Sequence, residues 1–279
     1  MAVYNSPAMP FASVRDINVY YEVQGEGGRL LYISGTGGDL RNKPSVFDGP
    51  LPQHFQVLSY DQRGLGQTDK PGVPYTMAGY GDDAAGLMDA LGWRTALVVG
   101  VSFGGMVAQE LALRHAQRVE KLVLCCTSSG GPGGASYPLH AIEHLPYEEQ
   151  ALIRIPITDA RKDAAWQAAH PDETKQLVAS AVATSEARHR DAAAAMGFQR
   201  QLEARAAHDT YDRIGGLTMP VMLAGGRYDR QAPPENLESL RGRIPGSRLE
   251  FFEGGHGFIR EDPRAPERII AFLQSEQQD

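Results

Sequence analysis

One serine interrupts an apolar run in which strand spacing gives way to helical spacing. Residues 100–104 read Gly-Val-Ser-Phe-Gly and fit the pattern G-x-S-x-G. The β-branched run before it predicts a buried parallel strand, and apolar residues from 106 to 113 recur at helical spacing. So tight a turn from strand to helix strains the backbone at Ser102 and exposes its hydroxyl at the sheet edge. Glycine is needed two residues to either side because a Cβ there would collide with the turn.

Short strand-like runs alternate with helical ones, which predicts a mostly parallel sheet with helices on both faces. Ile17–Val23 and Arg29–Ser34, joined by a glycine-rich loop, predict an opening hairpin. Further strands are predicted at Phe55–Tyr60, Thr95–Gly100, Val119–Cys126, Met219–Gly226 and Arg248–Glu253, and helices at Gly81–Leu91, Pro234–Arg243 and Pro263–Ser275. A length of 279 residues is ordinary for one α/β domain that carries an insertion.

The insertion is predicted from a change of pattern after the glycine-rich break at residues 130–134. From about Pro138 to about Thr210 no strand pattern occurs, and alanine-rich helical stretches such as Thr174–Arg190 and Asp191–Ala207 dominate. We therefore predict a helical cap at residues 131–210, inserted into a core domain made of residues 1–130 and 211–279.

Charge and composition argue against several classes of partner. The net charge is −7 and no basic run occurs, which disfavours nucleic acid and stable attachment to a membrane. No segment approaches the roughly 18 uninterrupted apolar residues of a spanning helix, and residues 1–7 lack the features of a signal peptide. Cys125 and Cys126 are adjacent in a predicted strand and should point to opposite faces as two reduced, buried thiols. A cytoplasmic location is the expectation.

A serine hydroxyl needs a base in order to attack, and the base needs an orienting acid. Asp229 directly follows the predicted strand at 219–226, and His256 directly follows the one at 248–253. Both therefore belong to the carboxyl edge of the sheet, where open α/β sheets place their sites. No cluster of cysteine, histidine and carboxylate residues has the spacing of metal ligands, so we expect no metal.

Taken together, these motifs make the chain resemble the α/β-hydrolase-fold serine hydrolases, of the carboxylesterase or enol-lactonase kind, over nearly its whole length. The matching pieces are the turn around Ser102, the Asp-Gln-Arg-Gly-Leu-Gly turn at 61–66, Asp229 with Pro233 after it, and His256 preceded by glycine. The resemblance implies a mostly parallel eight-stranded sheet flanked by helices, a helical cap and no cofactor. It also implies that Ser102 is the nucleophile, His256 the general base and then acid, and Asp229 the residue that orients the imidazole.

An acyl-transfer site also needs hydrogen-bond donors for the developing oxyanion. The backbone N–H of Phe103, directly after the serine, is one donor by geometry. Related hydrolases commonly carry His-Gly in the loop after the second predicted strand, where this chain has Ser34-Gly35. The position after that glycine indicates the Thr36 N–H as the second donor, with Gly37 as the alternative.

Two other features of the sequence do not predict a further functional site. Gly35 and Gly37 form G-x-G after a strand, but Leu40 occupies the place of the third glycine, so a dinucleotide site is not expected. Asp61 and Arg63 are predicted to hold their turn through side-chain bonds to the backbone rather than to take part in catalysis.

A serine nucleophile excludes the aspartate-nucleophile chemistries of this fold, and a full triad implies a covalent acyl-enzyme. We expect a carboxylic ester hydrolase for small to medium esters or lactones, with the cap forming the pocket. Phe103, Leu40 and Tyr137 are the predicted wall residues.

Two alternatives stay open. The Asp-Gln-Arg-Gly turn at 61–64 also resembles proline-specific aminopeptidases, although their Gly-Gly-Pro-Gly oxyanion loop is missing at 34–38. The acids that could bind a free amine in that case are Glu143, Glu148, Glu149 and Glu203. The second alternative is a ligand receptor on this fold, in which hydrolysis is slow.

Overall fold

The computed structural model describes residues 10–276 and contains one eight-stranded sheet with helices on both sides. The strands are β1 Phe11–Val14, β2 Ile17–Gln24, β3 Gly28–Ile33, β4 Phe55–Tyr60, β5 Ala96–Val101, β6 Val119–Cys125, β7 Val221–Gly226 and β8 Arg248–Phe252. In space they follow the order β1-β2-β4-β3-β5-β6-β7-β8. β1 and β2 are antiparallel to their neighbours, whereas the six strands β3 to β8 are parallel to one another. The predicted mostly parallel sheet is confirmed.

The predicted opening hairpin is wrong, although both of its strands exist. β2 pairs with β4, and β3 lies on the far side of β4, so the two predicted partners do not touch as neighbours. The loop between them crosses the start of β4, since a Cβ at Gly25 would lie 2.3 Å from the carbonyl oxygen of Phe55. The true hairpin joins β1 to β2 through Arg15, which has a φ of 53°.

The helices are α1 Met77–Ala90, α2 Phe103–Arg114, α3 Tyr147–Thr158, α4 Ala164–Ala169, α5 Pro171–His189, α6 Ala192–Ala206, α7 Pro234–Arg243, α8 Phe258–Glu261 and α9 Arg264–Gln274. Alternate residues of the strands feed two core clusters, as the pleat requires. Val98 of β5 belongs to the cluster under α1, α2 and α7, while Leu97 and Val99 belong to the one under α8 and α9. Both faces of the sheet are thereby buried.

The stretch predicted to lack strands is helical. α3 to α6 all lie between β6 and β7, and α5 and α6 match the predicted helices at Thr174–Arg190 and Asp191–Ala207 to within three residues. α3 and α4 were not predicted individually, because α3 contains Pro156 and α4 has only six residues. The division into a core and a cap stays a prediction.

The sheet reverses its order of connection between β3 and β5. From β3 the chain continues to β4 on one side, whereas β5 occupies the other side of β3. Ligand sites of open α/β sheets form at such a point, outside the carboxyl ends of the strands. Ser34–Gly38 follows β3 here, and Ser102 follows β5.

No helix within residues 10–276 is long and apolar enough to cross a membrane. Residues 1–7, which were expected to lack the features of a signal peptide, lie outside the described range.

Candidate active site

Ser102 occupies the sharp turn between β5 and α2. Its backbone has φ 57° and ψ −116°, a conformation that L-residues rarely adopt. The Ser102 N–H donates to the Cys125 carbonyl at 2.8 Å, and the Thr127 hydroxyl donates to the Ser102 carbonyl at 2.9 Å. The end of β6 and the residues after it thus hold the strained residue at its N–H and at its carbonyl, and the predicted strain at Ser102 is confirmed.

The two glycines of the motif leave no room for a side chain. A Cβ at Gly100 would lie 2.4 Å from the Gly104 carbonyl oxygen, and one at Gly104 would lie 2.0 Å from the carbonyl oxygen of Ile33. Real Cβ atoms do not approach oxygen so closely. The turn therefore requires glycine at both positions, as predicted.

A chain of hydrogen bonds joins Asp229, His256 and Ser102. Asp229 Oδ2 lies 2.7 Å from His256 Nδ1, and His256 Nε2 lies 2.9 Å from Ser102 Oγ. The other oxygen of Asp229 accepts from the backbone N–H groups of Gln231 and Ala232 at 2.8 and 2.9 Å. A carboxylate fixed in this way favours the imidazole tautomer with its proton on Nδ1. Nε2 is then free to accept a proton from the serine hydroxyl.

The C-terminal end of α3 holds the loops that carry the acid and the base. The Ile157 carbonyl accepts from the Arg230 N–H at 2.9 Å, and the Thr158 carbonyl accepts from the His256 N–H at 2.7 Å. The last carbonyls of a helix have no partner inside it, so they are natural acceptors for neighbouring loops. No pattern in the sequence indicated these contacts, because they join segments far apart in the chain.

Gln231 is a second neighbour of His256 that the sequence did not reveal. Its Nε2 lies 2.7 Å from His256 Nε2, the nitrogen that also faces Ser102. The backbone carbonyl of Gln231 accepts from the Tyr137 N–H at 2.7 Å, which ties this residue to the segment before α3.

The two segments that carry the predicted oxyanion donors lie next to the serine. The N–H groups of Phe103 and Thr36 donate to no acceptor among residues 10–276. A Cβ at Gly35 would lie 3.5 Å from Ser102 Cβ, so the loop after β3 runs directly beside the serine. The alternative donor, Gly37, is engaged elsewhere, because its N–H donates to Gln201 Oε1 at 2.8 Å.

The model of the α/β hydrolase fold family matches residues 28–263. The chain belongs to this family. A poly(3-hydroxyalkanoate) depolymerase of Ectopseudomonas oleovorans is 27% identical over 89% of this chain and 85% of its own. A putative carbamate hydrolase of Caulobacter vibrioides is 30% identical over 92% and 95%. The crystal structure of the enol-lactonase from Burkholderia xenovorans superposes with a TM-score of 0.75 at 26% identity, covering 95% of this chain and 100% of that one. These similarities support hydrolase activity.

The predicted wall residues of this α/β hydrolase have different environments. Leu40 lines an open cavity of about 410 Å³ that also reaches His256, Ser34 and Gly35. Tyr137 packs against an apolar cluster formed by Leu65, Leu139, Phe198 and Leu202. The Phe103 ring, in contrast, is fully buried in the main core and packs edge-on against Tyr80 at 5.0 Å. Phe103 is therefore not a wall residue.

Asp61 and Arg63 of the α/β hydrolase have the structural environment that was predicted, with one difference. Asp61 accepts from the Leu40 and Gln67 N–H groups at 2.7 and 2.8 Å, and burial raises its pKa to about 6. Arg63 bonds to side chains instead of the backbone: its guanidinium contacts Asp83 and Asp16. These ion pairs hold the pKa of Arg63 above its usual range.

One cysteine lies against the site. Both thiols are free and buried, as predicted, but they share one core cluster because β6 ends at Cys125 and Cys126 has a φ of 40°. Ligand atoms of Cys126, Asp229 and His256 lie within 4.8 Å of one another. Burial, together with the Asp229 charge, raises the pKa of the Cys126 thiol well above its usual value. Hydrogen bonds already engage two of these three residues, since His256 bonds to both Asp229 and Ser102.

Proposed function

We propose that this protein is a carboxylic ester hydrolase that acts on small to medium esters or lactones through an acyl-enzyme. The observation that carries the proposal is the chain of hydrogen bonds from Asp229 through His256 to Ser102, with contacts of 2.7 and 2.9 Å. This arrangement has the geometry that a serine nucleophile, its general base and the orienting acid require.

In the first half of the reaction Ser102 Oγ attacks the carbonyl carbon while His256 Nε2 takes the hydroxyl proton. The oxyanion that forms accepts from the N–H groups of Phe103 and Thr36, and each such donor is worth about 3 kcal/mol of transition-state stabilisation. His256 then gives its proton to the leaving alcohol, and the acyl group stays on Ser102. Asp229 stabilises the imidazolium throughout but keeps its own charge.

In the second half a water molecule replaces the alcohol. His256 Nε2 takes a proton from this water, the hydroxide attacks the acyl carbonyl, and the proton returns to Ser102 Oγ as the acid leaves. With a lactone the alcohol remains attached to the acyl group, so a single hydroxy acid is released.

We also propose that residues 131–210 act as a cap whose inner side forms the substrate pocket. Support comes from α3, whose last carbonyls hold the acid and base loops. Further support comes from Tyr137, which packs against an apolar cluster that includes Leu139, Phe198 and Leu202 of the same segment.

The two alternatives have less support. Of the four glutamates considered for an aminopeptidase, Glu143 alone is half-buried, and the other three are exposed to solvent. The relatives named above carry hydrolase names, which favours turnover over a purely receptor role.

The test is hydrolysis of p-nitrophenyl acetate and butyrate by the purified protein, together with labelling by a fluorophosphonate. We expect a burst followed by steady turnover, and a loss of about 10³-fold or more in Ser102→Ala. Ser13→Ala, at an exposed serine of β1, is the matched control and should behave like the wild type. A wild-type protein that is neither labelled nor active would overturn the proposal, and faster turnover of proline amides would favour the aminopeptidase.

A further inference from the structure

Three arginines on three different helices, one buried and two half-buried, lack an acidic partner. They are Arg154 of α3, Arg188 of α5 and Arg205 of α6. None of them forms an ion pair with any residue in the range 10–276. Arg205 donates one hydrogen bond, to the Tyr137 carbonyl at 2.8 Å, and the Arg188 guanidinium lies 3.7 Å from the centre of the Phe198 ring.

The buried side-chain nitrogens of this region that have no hydrogen-bond partner are all donors. Arg205 is only 6% exposed, yet its Nε and one Nη are buried without an acceptor. The same holds for Arg154 Nε and for Nε2 of the fully buried Gln201. Leaving charged N–H groups buried and unpaired is costly. Around these arginines unpaired donors outnumber acceptors, which indicates a ligand that supplies acceptors, as an anion does.

The charges of the three arginines also act on one another. Arg154 is close enough to lower the pKa of Arg188 and of Arg205, and burial contributes the larger part of both effects. Burial brings the pKa of Arg205 down to about 10. Guanidinium groups keep their proton at neutral pH, so all three arginines are charged. Glu143 offsets part of the charge on Arg154 and Arg188 but bonds to neither. The cluster therefore has a net positive charge.

The loop after β3 connects this cluster, Arg154, Arg188 and Arg205, to the serine. The loop after β3 touches both: Gly35 lies beside Ser102, and a Cβ at Gly37 would lie 3.1 Å from Arg188 Nη2. Two residues of chain span at most about 7 Å. On the other side, Arg205 bonds to Tyr137, whose N–H donates to Gln231, and Gln231 contacts His256.

We propose that Arg154, Arg188 and Arg205 bind a carboxylate of the substrate, so that the preferred substrates are esters or lactones that carry a free carboxylate. This inference rests on the proposed ester hydrolysis and specifies its substrate class. The apolar cluster of Leu65, Leu139, Phe198 and Leu202 accommodates the short carbon chain between the carboxylate and the scissile carbonyl. The guanidinium groups pair with the carboxylate oxygens and hold the carbonyl carbon against Ser102 Oγ.

The decisive comparison is between monomethyl adipate, which has a free carboxylate, and dimethyl adipate, which does not. We expect the wild type to have a kcat/KM at least about tenfold higher for the monoester, since hydrogen bonds to charged groups are worth about 1.5–3 kcal/mol. Arg188→Gln should lose about 10- to 100-fold on the monoester and little on the diester. Arg190→Gln, at the exposed position directly after α5, is the matched control. It should leave kcat/KM unchanged for both the monoester and the diester.

A binding measurement separates this inference from the proposed reaction. Titration of adipate into Ser102→Ala by calorimetry should give saturable binding, and the added substitution Arg188→Gln should weaken it at least about tenfold. Normal turnover of p-nitrophenyl acetate with no preference for the monoester and no adipate binding would overturn the carboxylate site and leave the hydrolase intact. Adipate binding without any turnover or fluorophosphonate labelling would support the site and overturn the hydrolase. Equal losses on monoester and diester in Arg188→Gln would indicate a structural role and overturn the inference.

Discussion

Gln231 Nε2 lies 2.7 Å from His256 Nε2, on the same nitrogen that faces Ser102 Oγ at 2.9 Å. A neutral imidazole with its proton on Nδ1 has one lone pair at Nε2, and both the amide and the hydroxyl are placed to donate to it. The Gln231 side chain therefore competes with the serine for the base in the resting state. The backbone of Gln231 is held independently, by Asp229 and Tyr137.

We expect Gln231→Ala to accelerate fluorophosphonate labelling of Ser102 by about 2- to 10-fold, because removing one competing neutral hydrogen bond frees about 0.5–1.5 kcal/mol. Gln231→Glu should do the opposite, since a carboxylate beside His256 favours the imidazolium and moves the acidic limb of the kcat/KM profile to higher pH. Gln199→Ala, on an exposed position of α6, serves as the control. Slower labelling in Gln231→Ala would contradict the competition.

The tight turn at Ser102 should reject even one added methyl group. Gly104→Ala would place its Cβ 2.0 Å from the Ile33 carbonyl oxygen, so we expect unfolding to become easier by at least about 1–3 kcal/mol and labelling of Ser102 to be lost. Gly242→Ala is the matched control: it lies in α7 with no atom within 4 Å of the new Cβ. That variant should gain about 0.5–1 kcal/mol from helix propensity. Denaturant titration measures the free energy of unfolding of both variants, and fluorophosphonate labelling reports on Ser102. A Gly104→Ala protein that is stable and still labelled would contradict the predicted clash.

Arg63 should matter for stability and not for the chemical step. Its guanidinium pairs with Asp83, and the two side chains are 7% and 2% exposed. Arg63→Ala leaves Asp83 buried with only the half-exposed Arg15, so the free energy of unfolding should fall by about 3 kcal/mol or more. Arg268→Ala, which breaks a surface pair with Glu250, should cost much less. Equal losses in the two variants, measured by urea denaturation, would argue against this ranking.

His208 should make the fold sensitive to acid. Burial lowers its pKa from 6.5 to about 4, and its Nδ1 has no partner among the described residues. Between these two values the unfolded chain binds more protons than the folded one. The contribution of the neutral His208 ring to the free energy of unfolding is therefore fully present above pH 6.5. It is lost as the pH falls towards 4, by about 3 kcal/mol in total.

Urea denaturation at several pH values between 7 and 4 tests this dependence. The fall in unfolding free energy should be smaller in His208→Gln, whose amide can still donate to the Ser128 carbonyl as His208 Nε2 does at 3.1 Å. His144→Gln, at an exposed position, should keep the wild-type profile. Identical profiles in wild type and His208→Gln would contradict the assignment.

Local patterns in the sequence predicted much of the fold. Phe55–Tyr60 and Pro234–Arg243 have the predicted bounds, because strand and helix formation depend on the spacing of apolar residues and on nearby turn residues. The hairpin of Ile17–Val23 with Arg29–Ser34 failed for the complementary reason. Each strand was recognisable, but its partner is chosen by packing, and β4 inserts between the two.

The sequence by itself determined the strained serine, the two glycines that permit it, and the family, because these are short-range requirements of one turn and of the order of motifs. Only the tertiary structure decided what surrounds that serine. Gln231 beside His256, the carbonyl of Thr158 on the base loop, and the unpaired arginines all depend on contacts between distant segments. No local spacing encodes such contacts, since they exist only once segments far apart in the chain have packed against one another.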